Sequence, residues 1–153
     1  MKILIKFIFF IFIFPSISNA DLVKPNTNLQ PFDVLMIQLS SLKNNNIPYK
    51  DAGIEQTWEF AHPNNKAITG PLDKFKKMIY SESYKILISH QSAEITILKE
   101  TENISVYKVT VLTKNKKKYY YIWQVEKVLS EGKLKNCWMT SSVSSPKYLG
   151  EVI

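Results

Sequence analysis

The sequence predicts an α+β domain, with N-terminal helices packed on an antiparallel sheet of about four strands. Two observations carry this prediction. From Pro31 to Ile88 the apolar residues recur every three or four positions, the period of a helix face, whereas from Gln91 onward they alternate every second residue. The helices all precede the strands, without β-α-β alternation, and this order selects an antiparallel sheet.

Residues 1–20 are set apart from the domain. Lys2 and Lys6 give a basic start, Ile8 to Phe14 is an unbroken apolar run, and Ser18-Asn19-Ala20 supplies the small residues of a cleavage site. That pattern is a secretory signal peptide, so the expected mature chain begins at Asp21 and is secreted or periplasmic. The apolar run is shorter than the ~20 residues a membrane span needs, and Pro15 interrupts it, so no stable span is expected after cleavage. Retention of the leader as an N-terminal anchor is the open alternative.

Residues 21–30, with Pro25, Asn26, Thr27 and Asn28, read as a flexible leader. Pro31 is suited to the first turn of a helix, and Phe32, Leu35, Met36, Leu39 and Leu42 then share one face. Asn44-Asn45-Asn46 ends this helix. A second helix carries Ile54, Trp58 and Ala61 and must stop before Pro63, because the residue preceding a proline is pushed out of the helical region. Pro63-Asn64-Asn65-Lys66 reads as a turn and Thr69 as the N-cap of a further helix bearing Leu72, Phe75, Met78 and Ile79. Tyr84 to Ile88 adds a helical turn or two.

Four strands follow. Ala93, Ile95 and Ile97 define the first, Tyr107, Val109 and Val111 the second, and Tyr119, Tyr121, Trp123 and Val125 the third. Trp138 to Val143 makes the fourth. The expected domain spans residues 31–145, and residues 146–153 read as a tail.

The formal charge is +7, and every basic residue is lysine. A nucleic-acid reader would be expected to use the planar fork of arginine, so nucleic acid is not an expected partner. Lys114, Lys116, Lys117 and Lys118 form the densest cluster. A solvated hairpin tip is preferred here to a polyanion patch, since the run has no aromatic partner at its own tip. Cys137 is the single cysteine, which excludes an intramolecular disulfide and reads as a buried, inert thiol.

The motifs Gln38-Leu39, Trp58-x-Phe60-Ala61-x-Pro63-x-Asn65, Thr69-Gly70-Pro71-Leu72-x-x-Phe75-x-x-Met78 and Cys137-Trp138-Met139-Thr140 are the most distinctive in the chain. Together with Asp51-Ala52-Gly53-Ile54 and Tyr84 they resemble domain-of-unknown-function family 4864. The resemblance covers roughly Phe32 to Val143 and departs from the family pattern at His62. It implies a branch of the cone-shaped superfamily typified by nuclear transport factor two, in which a curved sheet wraps a long N-terminal helix and leaves a pocket at the open end. Members of that superfamily include lyase- and isomerase-type enzymes and proteins that only bind or dimerise, so the fold by itself licenses no reaction.

In a cone of that kind, the candidate pocket residues are Trp58, Tyr84, Tyr121 and Trp123, whose rings offer apolar walls with polar tips. For Trp58, filling the core is the preferred alternative; for Tyr121 and Trp123, core and pocket are balanced. His62 and His90 are rim candidates, each more simply a cap or loop residue, and they show no metal-ligand spacing. The resemblance assigns no catalytic residue, and no metal or cofactor is expected. Glycine-rich phosphate loops and nucleophile motifs are lacking in the sequence. The expected function is binding of a small apolar or amphipathic ligand, or homodimerisation through the pocket or the sheet face. The alternative is a lyase or isomerase using a pocket histidine or acid.

Overall fold

The structure, a computed structural model, describes residues 21–152. The leader at 1–20 lies outside the described residues. Helix α1 spans Pro31–Lys43, α2 Ala52–Glu59, α3 Pro63–Thr69 and α4 Leu72–Ile79; a short 3-10 turn covers Lys85–Leu87. The strands are β1 Ser92–Glu100, β2 Ile104–Leu112, β3 Lys117–Lys127, β4 Trp138–Val143 and β5 Lys147–Glu151. The expected α+β class with N-terminal helices is what the chain adopts. The sheet is antiparallel and open, with five strands rather than four.

Its order is β1-β2-β3-β4, with β5 also paired to β3. Strand β3 is long enough to serve two neighbours on one edge. Residues Trp123 to Lys127 pair with β4, and Lys117 to Tyr120 pair with β5. Ser144 bridges the two, since its amide donates to the Ile122 carbonyl and its hydroxyl accepts from the Ile122 amide. The segment expected as a tail is thus a paired edge strand over most of its length. Register shifts at Ile97/Lys99, Lys118/Tyr119 and Gln124/Val125 bend the sheet, as bulges do.

The period-two faces sort as expected. Tyr107, Val109, Val111, Tyr121, Trp123 and Val125 are buried against Val34, Leu35, Leu39 and Leu42 of α1. The buried stripe of α1 also contains Gln38, while Phe32 and Met36 are exposed at 45% and 42%, so the stripe is rotated from the expected one. Asp33 closes a capping box with Gln30 at the start of α1, satisfying amides that no helical carbonyl can reach. The leader is tied down as well: Val23 exchanges two hydrogen bonds with the Gln56 side chain, both 2.8 Å.

Helices α1 and α2 approach so closely at Gly53 that a Cβ there would stand 2.0 Å from the Ser41 carbonyl oxygen. Only glycine fits that contact. Two local expectations are corrected. Pro63 to Lys66 is the start of α3 and not a turn, and Thr69 closes that helix, its hydroxyl donating to the Asn65 carbonyl at 2.8 Å, so it caps nothing that follows. The residue before α4 is Pro71, which offers no side-chain cap.

Candidate functional site

A cavity of about 220 Å³ lies between the helices and the β3–β4 end of the sheet. Its apolar wall is built from Leu42, Phe75, Met78, Ile79 and Leu87, residues at helical spacing that face inward from α1, α4 and the 3-10 turn. Ala61, bridged to Thr140 beyond the end of α2, contributes a small methyl where a larger side chain would occupy the space. Ile68, Thr69, Ser141 and Ser142 edge it, with Ile68 74% exposed.

The polar part of the lining is a chain of buried hydrogen bonds. The Trp123 indole N–H donates to Thr140 Oγ1 at 3.0 Å. The Thr140 hydroxyl donates to Gln38 Oε1 at 2.5 Å, and Gln38 Nε2 donates to the Thr57 carbonyl at 3.0 Å. The Thr57 hydroxyl continues to the Gly53 carbonyl at 2.8 Å. Each group has one role compatible with its chemistry, so the amide of Gln38 has a single orientation that satisfies both ends. Backbone bonds hold Thr140 in place. Its N–H donates to the Phe60 carbonyl, and its own carbonyl accepts from the His62 amide and the Asn65 side chain. A buried polar network that is fully satisfied rigidifies its surroundings.

Of the four aromatic candidates, Tyr84 and Trp123 line this cavity. Tyr84 donates its hydroxyl to the Val143 carbonyl at 3.0 Å and stacks on Tyr121, with centroids 6.4 Å apart. Tyr121 itself does not line the cavity. It is fully buried, its hydroxyl donates to the Ser83 carbonyl at 2.8 Å, and burial raises that hydroxyl far above the ordinary tyrosine range. Trp58 also lies outside the lining. Its ring packs 5.0 Å from Phe75 and against Gly70, with the Lys66 ammonium 5.2 Å from its centroid. The same burial lowers the Lys66 pKa.

The model of the family described as a domain of unknown function (DUF4864) matches residues 27–145. The chain belongs to that family. No curated protein and no solved structure matches it. In this DUF4864 chain, the motif residues Gln38, Ala61, Asn65, Thr69, Phe75, Met78 and Thr140, which are far apart in sequence, all line the one cavity.

The two histidines of the DUF4864 chain are not brought together and neither lines this cavity. His62 is the N-cap of α3, its Nδ1 accepting from the Asn64 amide at 3.2 Å. His90 is buried behind α1, its Nδ1 against the Leu87 carbonyl at 2.8 Å. Burial lowers both pKa values; Glu126 partly offsets this for His62 and the Leu87 carbonyl for His90, while Lys43 adds to the lowering at His90. A histidine whose folded pKa lies below its unfolded value of 6.5 binds fewer protons than the unfolded chain does in acid. The folded state therefore loses stability as pH falls below about 6.5. Thermal melts at pH 7.5 and pH 5 should show a lower midpoint in acid, and combining His62→Asn, which keeps a cap acceptor, with His90→Gln should flatten the difference. An unchanged slope in the double variant would assign the acid sensitivity to other groups.

Among the described residues, no group of three His, Cys, Asp or Glu side chains is placed to hold a metal, and no helix is long and apolar enough to cross a membrane. Cys137 is buried with Val128 and Met139 in a separate apolar cluster, and burial raises its thiol pKa, the condition of an unreactive cysteine.

Proposed function

We propose that this protein is a non-catalytic binder of a small apolar or amphipathic molecule, held in the cavity between α1, α4 and β4, in a cone-shaped domain of the nuclear-transport-factor-two type. Export through a leader over residues 1–20 belongs to the same reading. The observation that carries it is the character of the lining: an apolar wall facing a hydrogen-bonded polar chain, with no carboxylate, imidazole, thiol or ammonium among the described lining residues. Proton transfer in a lyase or isomerase needs such a group within reach of substrate. Tyr84 is the one titratable side chain in the lining, and its hydroxyl proton is engaged by the Val143 carbonyl. This favours binding over the enzyme reading.

The size sets the ligand class. A dry cavity of roughly 150 Å³ accepts benzene, and drug-sized pockets run from about 300 Å³ upward. A volume of about 220 Å³ suits a short acyl or alkyl chain or a single aromatic ring. The Thr69 and Ser141 hydroxyls, whose protons go to the Asn65 and Gln124 carbonyls, can accept a hydrogen bond from a polar head, and Ser142 adds another hydroxyl at the edge.

Calorimetric titration with a graded series of straight-chain primary alcohols tests this. Saturable binding with an optimum chain length and a negative heat-capacity change is expected. Ala61→Leu should abolish it while leaving the protein folded, because its added carbons enter the cavity. Saturable binding of equal strength in that variant, or none to any member of the series in the wild type, would remove the proposal.

A further inference from the structure

Beyond the cavity, the end of the sheet carrying the β2–β3 turn and β5 has a composition of its own. Residues 108–120 and 145–152 hold six lysines, at 108, 114, 116, 117, 118 and 147, against one carboxylate, Glu151. Glu151 lies 3.8 Å from Lys117. Read from the sequence, the lysine run is only a solvated tip without aromatic neighbours. In the fold β5 adds a further lysine and a further tyrosine beside it. Its pairing with β3 sets Lys147 beside Tyr120 and Tyr148 beside Tyr119. The Lys108 and Lys147 ammonium groups lie 4.8 and 5.9 Å from the Tyr120 ring centroid. On β5 itself Tyr148, which stands on the sheet face opposite Lys147, and Leu149 are 55% and 49% exposed.

We propose that this edge docks the protein on an anionic lipid surface, with the lysines on the headgroups and Tyr148 and Leu149 at the headgroup–acyl boundary. Charge complementarity selects an anionic partner, since six lysines against Glu151, and Glu94 of β1 in the cross-strand row of Thr110, Tyr120 and Lys147, leave this edge net positive and attracted to a negative surface. The exposed apolar pair selects lipid over a soluble polyanion. A bilayer boundary buries such side chains, and a tyrosine ring suits that depth. Lysine's compact, hydrated charge needs no bidentate partner and fits a fluid array of headgroups.

The test is vesicle co-sedimentation of the chain from Asp21 onward, which contains every residue of both apolar clusters and so the whole core. It should pellet with phosphatidylcholine vesicles containing phosphatidylglycerol, not with phosphatidylcholine alone, and high salt should release it. Replacing Lys114, Lys116 and Lys147, all exposed, with glutamine should lower partitioning about five-fold per lysine and about a hundred-fold together. Leu149→Ser should weaken binding without changing its salt dependence. Circular dichroism melts confirm that these surface variants remain folded. Failure to pellet, equal binding to both lipids, or wild-type binding by the triple variant would overturn the proposal. So would binding to soluble polyphosphate as strong as to vesicles together with an inert Leu149→Ser.

Discussion

Replacing Trp123 with alanine is expected to remove about 3–5 kcal/mol of folding stability, the range for a buried large aromatic. Its side chain is among the largest fully buried ones, at 1% exposure, packed in the cluster that joins α1 to the sheet. The substitution also strips Thr140 of its indole donor. A domain stable by roughly 5–15 kcal/mol has little to spare against such a loss. Urea unfolding followed by far-ultraviolet circular dichroism measures it. Trp123→Phe, which keeps most of the volume and loses the N–H, should cost clearly less. Equal costs for the two would mean that the hydrogen bond, not the packing, holds this position. Trp123 thus has two roles: one part of the side chain faces the cavity, while the rest is core.

The second large effect is expected at Thr140. Thr140→Val is nearly isosteric, yet it takes away a hydroxyl that accepts from Trp123 and donates to Gln38. Two buried polar groups lose their partner at once. At about 1–3 kcal/mol for each unsatisfied group, a loss of about 2–6 kcal/mol is expected. Gln38→Leu should be costly too, since it frees the Thr57 carbonyl as well as the Thr140 hydroxyl. The double variant should cost less than the sum of the singles, because the groups belong to one network. Chemical denaturation of the four proteins gives this coupling directly. Strict additivity would show that Gln38 and Thr140 act independently and that the hydrogen-bond chain is not a unit.

Particular residues show how much of this was legible in sequence. Alternation in β2 and β3 marks Tyr107, Val109, Val111, Tyr121, Trp123 and Val125 as one face, and all six are buried. Strand β5 is not legible, because Lys147-Tyr148-Leu149-Gly150-Glu151 has no alternating apolar face and follows a proline. Its place comes from the backbone of β3 and the Tyr119–Tyr148 contact, with rings 5.2 Å apart. Helix α3 escapes for a similar reason. It buries no residue fully and is capped by a histidine, so neither periodicity nor a usual cap announces it. The α1 stripe departs from its periodicity at Gln38, a polar residue that periodicity alone excludes from a core. Its partner Thr140 lies 102 residues away, beyond the reach of any local signal. The aromatic candidates offer apolar rings with polar tips, a feature that finds the core as readily as a pocket. The small and hydroxylic residues that edge the cavity, Ala61, Thr69, Ser141 and Ser142, carry no such mark. Ala61, Thr69, Gln38 and Thr140 do sit within the motifs that resemble the family, which was the one available pointer to them.

The central claim is that the cavity between α1, α4 and β4 receives a small apolar ligand. Nuclear Overhauser contacts from a saturating short-chain alcohol to assigned methyl groups test it most directly. The account predicts contacts to the methyls of Ala61, Met78 and Val143, all of which line the cavity, and none to Ala93 or Ile97 on the edge strand. Contacts confined to β1, or to the exposed Tyr148 and Leu149 of β5, with the Ala61 and Met78 methyls silent at saturation, would contradict it.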